Sequence, residues 1–398
     1  MRFIIFATVL LATAAIAQPE HVSNPAAPSE GVHTIQLNEQ WTIGGADEDA
    51  HLIGVISQVL ADDAGNIYLL DSQLAQVHVF SADGEFLRFL SREGDGPGET
   101  RNPNDMMIMP DGSLGLMQVF PGSIVQIDLD GSPVGKYPFD SGNPNAGGFA
   151  VLVRGKSKNN NLVLVGMRQT FDAGMLIQNR FMSSFDGEGN ELISYFSGTL
   201  EQNFANLVLD EVGTDFPWAR WDIGQNGAVT LAPTRDEYRF ERYSADGNLE
   251  LTFDRSYEPL KRDEEAMKQM TSAMEAQGRH YPVPPAVTVS DFEPAVTWVH
   301  ADSHGNTWVQ TSRSGVNQPD GIMLSYDIFN SDGKFIKQYA FACDGDTEHD
   351  LMFFIDDNRC LLVKGFHDSV AAMQGVSTTE DEEEPEPVSV ISYTIEWD

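Results

Sequence analysis

The sequence predicts an all-β fold in which one four-stranded unit is repeated around a ring. Three observations carry this. First, an aromatic or aliphatic residue is followed three and four positions later by an acidic residue and glycine, five times: Phe80 to Asp83-Gly84, Ile127 to Asp130-Gly131, Phe185 to Glu188-Gly189, Tyr243 to Asp246-Gly247 and Phe329 to Asp332-Gly333. Glycine accepts the positive φ of tight hairpins, so such a pair between alternating apolar runs marks a hairpin. Second, another glycine turn, at Gly65, Gly112, Gly227 and Gly305, precedes four of these by 19, 19, 20 and 28 residues. In the third unit Asn159-Asn160-Asn161 holds that position, asparagine being the next most tolerant of left-handed backbone. Third, an alternating run at 33–43 belongs to no unit and is free to complete the last one.

Two hairpins about 20 residues apart define four antiparallel strands. The first unit reads 54–61, 66–71, 76–80 and 85–90. The last has only three strands of its own, at 351–355, 360–364 and 388–397, and the N-terminal run supplies the fourth. Pairing both chain ends in one sheet removes two free edges. The predicted architecture is therefore a six-bladed β-propeller of four-stranded antiparallel blades, closed by the N-terminal strand. Its innermost strands are expected at 54–60, 105–109, 149–153, 218–223, 296–301 and 351–355.

Insertions interrupt the repeat. The largest, 254–294, contains a helix-forming stretch at 262–277, with Glu264 and Glu265 in its first turn, where the helix dipole favours acids. Met267, Met270 and Met274 share one face, expected to lie on the propeller. The acidic, proline-containing segment 376–387 reads as a solvated, disordered loop.

Residues 1–17 have the form of a secretory signal: Arg2, an apolar stretch from Phe3 to Ile16, and Ala15-Ile16-Ala17 before Gln18. Residues 18–32 read as a flexible leader and 33–398 as the propeller. No cysteine lies at the junction and no later segment is apolar enough to span a bilayer, so the expectation is an exported monomer, periplasmic or extracellular, and not a lipoprotein. The formal net charge of −36 repels phosphate backbones, which excludes nucleic acid as a partner. In an exported chain the only two cysteines, Cys343 and Cys360, favour a disulfide, with two buried thiols on neighbouring strands as the other reading.

The segment Gly65-Asn66-Ile67-Tyr68-Leu69-Leu70-Asp71, the run 77–89, and Gly94-Asp95-Gly96-Pro97-Gly98-Glu99 before Asn102-Pro103 resemble NHL-type repeats. They are most similar to the secreted bacterial six-bladed β-propellers, a mostly uncharacterised family. Thr100 stands where that family usually has phenylalanine. The resemblance implies architecture and brings no agreed catalytic residues. It also implies one enzymatic alternative. Some six-bladed propellers are lactonases or lyases that hold Ca²⁺ or Zn²⁺ at the channel centre, for which Asp105, Asp222 and His300 are the candidates on the expected inner strands.

No Gly-x-Ser-x-Gly elbow, phosphate-cradling Gly-Lys-Ser/Thr or His-Glu-x-x-His occurs. The reading is a non-enzymatic binding module without a cofactor, using the long loops 91–104, 197–216 and 254–294 around one channel mouth. Its ligand is an unspecified protein, small molecule or glycan. Glu99, Trp218, Arg220 and Trp298 are the expected contacts, with Arg220 as the electrostatic anchor.

Overall fold

The computed structural model describes residues 19–46, 51–140, 142, 148–279, 281–375 and 387–397. The first three blades are separate four-stranded sheets. They comprise Ile56–Ala61, Ile67–Asp71, Gln76–Phe80 and Phe86–Leu90; then Pro103–Ile108, Leu114–Gln118, Ser123–Ile127 and Pro133–Lys136; then Gly148–Lys158, Asn161–Asp172, Met175–Phe185 and Glu191–Asn203. The fourth runs Trp221–Ile223, Val229–Leu231, Arg239–Tyr243 and Leu249–Arg255. The fifth is Trp298–Ala301, Thr307–Gln310, Ile322–Phe329 and Phe335–Ala342. The sixth is Leu351–Asp356, Arg359–Lys364, Ser389–Glu396 and, outermost, the N-terminal strand Val32–Gly44.

Both turn series have the same construction. The N–H of Gly84, Gly131, Gly189, Gly247 and Gly333 donates to the carbonyl three residues back, as does that of Gly65, Gly112, Gly227 and Gly305. All nine glycines have φ between +73° and +95°. In the third blade Asn159 and Asn160 adopt positive φ themselves, at +50° and +60°.

Blades meet face to face through six apolar clusters, one per joint. Tyr68, Leu70 and Val77 pack against Met106, Leu116 and Val125 between the first and second blades. Ile56, Leu69 and Phe80 pack against Phe353, Leu361 and Val390 between the first and sixth. That last cluster closes the ring. Burying one such side chain contributes about 1.5–3 kcal/mol, so the stability is distributed around the circle rather than held in one core.

Closure uses Val32–Gly44 twice. It pairs antiparallel with Ser389–Glu396 over Gln36 to Gly44, while Val32 to Gln36 run parallel to Gln338–Ala342 of the fifth blade. The expected leader 18–32 is not uniformly loose. Glu20–Asn24 adds a parallel fifth strand to the edge at Leu249–Arg255. Asn24 then bridges two blades: its Nδ2 donates to the carbonyls of Asp254 and Gly333 (2.8 and 2.9 Å), and its Oδ1 accepts from the Phe335 N–H (2.9 Å). An edge strand with unpaired backbone is the physical reason a polar segment settles there.

In the insertion, the helix Glu264–Gly278 starts from Asp263, whose side chain accepts from the Ala266 N–H. Of the three methionines only Met274 is fully buried. Cys343 and Cys360 are unbonded, a correction to the expected disulfide. Both belong to the apolar joint between blades five and six. There Cys343 faces the Met323 sulfur at 3.6 Å, Cys360 is fully buried, and burial raises the Cys343 thiol to about 11. The expected signal segment 1–17 and most of the expected acidic loop, 376–386, lie outside the described residues.

Candidate functional site at the channel mouth

The first strand of each blade lines the channel, and these strands touch their neighbours around most of the ring. Loops joining one blade's last strand to the next blade's first gather at one end of it. There a cavity of about 890 Å³ is lined from all six blades, including Gln58, Asn104, Arg154, Trp218, Thr297, Trp298, Val316 and Phe353. The insertion contributes Leu260 and Glu293, and the short helix Phe366–Met373 adds Phe366 and His367. A second cavity of about 230 Å³ lies deeper, and Gln58, Arg154, Trp298 and Phe353 line both. The larger volume is within the range of small-molecule pockets.

Arg154 is the group at the junction of the two cavities. It is 5 % exposed, and its guanidinium carbon lies 3.9 Å from the centre of the Trp298 ring. Burial lowers its pKa, opposed by the charges of Asp105 and Asp222, and an arginine still keeps its proton. Among the described residues no acid comes within ion-pair distance of it, and its buried Nε has no hydrogen-bond partner. Two more residues lining the same cavity carry a buried polar atom without a partner, Asn104 at Oδ1 and Thr297 at Oγ1. Three of the ten such atoms among the described residues thus belong to side chains around this one cavity.

The channel acids are occupied with the frame. Asp105 accepts from Gln58 Nε2 of the first blade (2.7 Å), its own neighbour Met106 N–H (2.9 Å) and Gly155 N–H of the third blade (2.9 Å). Burial raises its pKa, with Arg154 and these donors opposing. Asp222 accepts from Lys156 Nζ (2.7 Å) and from the N–H groups of Ile223 and Ala301, and lies 3.2 Å from His300 Nδ1. Burial works against its ionisation, but Lys156 and His300 outweigh it and hold the carboxyl well below the usual range. Lys156 is drawn down to about 8 by burial, against the pull of Asp222. The three residues expected as metal ligands thus fall into two places. Asp222 and His300 meet, whereas Asp105 ties together blades one, two and three. Among the described residues no group of three or more His, Cys, Asp or Glu side chains is arranged to hold a metal ion.

Of the four expected ligand contacts, Trp218 and Trp298 both line the mouth, Trp218 being 47 % exposed. Arg220 and Glu99 do not. Arg220 is buried in a two-pronged pair with Asp215, at 2.9 and 2.7 Å, which consumes the charge that made it attractive as an anchor. Glu99 folds back within its own loop onto Arg92 (2.6 Å) and the Gly96 N–H (2.8 Å). The cation that faces the cavity is Arg154. It lies one residue beyond the expected inner strand 149–153, because that strand runs on to Lys158 with a register shift between Leu152 and Arg154. Basic residues alternating at 154, 156 and 158 after an apolar run were the available signal.

Among the described residues no helix is long and apolar enough to cross a membrane. No curated protein matches the chain in sequence. In structure it is similar to a protein of Bacteroides fragilis described as exported, at 9 % identity and a TM-score of 0.49, covering 94 % of this chain and 99 % of the other. It is also similar to a DUF4221-family protein of Bacteroides vulgatus (8 % identity, TM-score 0.48, 91 % and 98 % covered). A third is the calcium-binding protein regucalcin of Agrobacterium tumefaciens (10 % identity, TM-score 0.43, 91 % and 96 % covered). Residues 47–196, which span the first two blades and most of the third, match a family model described as a 6-bladed beta-propeller. Six four-stranded blades and six joints on the same chain make the fold a six-bladed β-propeller, in agreement with that model.

Proposed function

We propose that this chain is an exported, non-catalytic binding module that takes a small molecule into the long-loop mouth of its channel. The observation that carries the reading is that Arg154, Asn104 and Thr297, each with one buried side-chain atom lacking a partner (Nε, Oδ1 and Oγ1), all line one cavity of about 890 Å³. A buried polar atom left unpaired costs about 1–3 kcal/mol, and a ligand offering complementary groups recovers that cost on binding. Trp218, Trp298, Leu260, Val316 and Phe353 supply apolar walls around these few polar points. That combination suits a compact organic ligand better than an extended protein surface. Export rests on the signal-like segment at residues 1–17.

The test is a thermal-shift and tryptophan-fluorescence panel of small carboxylates, amides and sugars. It compares the natural chain with Val316→Trp, which fills the mouth from a partly exposed position without entering the blade core. The reading expects at least one compound class to raise the melting temperature and change tryptophan emission, and Val316→Trp to abolish both. No response from any class, or a response that survives in Val316→Trp, overturns it.

A further inference from the structure

We infer that the mouth cavity selects a small organic monoanion, a carboxylate on a flat apolar body, with Arg154 as the group that binds the charge. This rests on the proposed small-molecule reading and names the ligand class it takes.

Four features lead to the charge. Arg154 is 95 % removed from solvent yet has no ion-pair partner among the described residues, an unusual state for a cation. Of the other four buried arginines, three are ion-paired, Arg220 with Asp215, Arg235 with Glu211 and Asp236, and Arg262 with Glu211 and Glu293, and the fourth, Arg180, donates to the carbonyls of Gly213 and Asp215. One face of the Arg154 guanidinium is covered by Trp298, which leaves its in-plane N–H groups for a ligand. A carboxylate is the planar two-oxygen acceptor those groups fit. The channel acids cannot take that role, since the oxygens of Asp105 are held by Gln58, Met106 and Gly155 and those of Asp222 by Lys156, Ile223, Ala301 and His300.

Two features limit the rest of the ligand. Trp218, Trp298 and Phe353 give the cavity flat aromatic walls, which favour a planar apolar body. Glu293 and Glu348 also line the cavity, and the chain carries a net charge of −36, so a second negative charge on the ligand is disfavoured. A nucleotide or a polyphosphate does not fit these terms.

The experiment compares matched pairs, phenylacetate with phenylacetamide and indole-3-acetate with indole-3-acetamide, on the natural chain, Arg154→Gln and Arg154→Lys. A charged hydrogen-bond pair in a desolvated site is expected to favour each acid over its amide by about ten- to a hundredfold. Arg154→Gln should erase that preference, and Arg154→Lys should restore part of it. A measurement that needs no variant runs beside this. Arg154, Arg220 and Arg262 are buried to the same degree, but only Arg154 lacks a carboxylate partner, so phenylglyoxal, which modifies guanidinium groups, should label Arg154 slowly and ahead of the other two, as read by peptide mass spectrometry. Phenylacetate should slow that labelling and phenylacetamide should not. Acids and amides binding alike, or labelling of Arg154 indifferent to the acid, overturns the anion assignment while the small-molecule reading stands. No binding of either member of both pairs, together with an unlabelled Arg154, overturns both.

Discussion

Replacing Gly84 with alanine probes the joint between the first and last blades, where the ring closes. Gly84 has φ +82°, and a Cβ built on it would lie 2.6–3.0 Å from the indole of Trp41. Trp41 belongs to the closing strand Val32–Gly44, and its Nε1 donates to the Ala82 carbonyl at 2.9 Å. Gly112 is the control: its φ is +85°, and a Cβ there meets nothing within 4 Å. Left-handed backbone costs a residue with a Cβ about 1–2 kcal/mol, which both variants bear. Overpacking against Trp41 adds about 1–3 kcal/mol to Gly84→Ala alone. Urea unfolding should therefore place Gly84→Ala clearly below Gly112→Ala in stability. In a Trp41→Ala background the Gly84→Ala cost should fall to that of the control, a coupling that a double-mutant cycle reads directly. Equal losses for the two single variants, or no coupling to Trp41, would refute the closure by the N-terminal strand.

Other consequences follow from the same contacts. Deleting residues 33–43 exposes the edge of the Ser389–Glu396 strand and should produce aggregation or a large drop in melting temperature; a monomeric, normally melting deletion would contradict the pairing. Asp215→Ala strands the buried charge of Arg220 and should cost about 3–5 kcal/mol in urea unfolding, while any ligand affinity measured at the mouth stays unchanged. His78, fully buried beside His51 (2.9 Å) and Asp71 (3.8 Å), is depressed to about 4 by burial. Between pH 6.5 and about 4 the unfolded chain therefore binds the extra proton, so stability is whole above pH 6.5 and falls as the pH drops toward 4. The loss should reach about 2–3 kcal/mol, and His78→Leu should flatten it across that window; an unchanged pH profile in the variant would place the acid sensitivity elsewhere.

The repeat was legible because its turns are chemical necessities. Glycine recurs wherever the backbone is left-handed, and the third blade's Asn159-Asn160 substitution follows the same rule. The alternating run at 33–43 was legible for a different reason, since it had no other unit to join. Glu20–Asn24 was not: a short polar segment carries no apolar alternation, and its partner at Leu249–Arg255 lies some 230 residues away in a parallel pairing. At the site, the two tryptophans could be placed because inner-strand starts follow from the turn spacing. Which of two arginines faces the cavity depends on details no periodicity reports. Asp215 reaches round to grip Arg220, and a register shift after Leu152 carries Arg154 into the channel. The cysteines sat in the right joint but on strands whose side chains meet as packed thiols.

The most direct test of the mouth site is a crystal of the protein grown with 4-bromophenylacetate, in which bromine marks the ligand by anomalous scattering. The account predicts a bromine peak between Trp218 and Trp298 within the mouth and a carboxylate within hydrogen-bond distance of the Arg154 guanidinium. Bromine found only on the outer surface of the blades, with the mouth holding water alone and Arg154 turned onto a protein carboxylate, would contradict it.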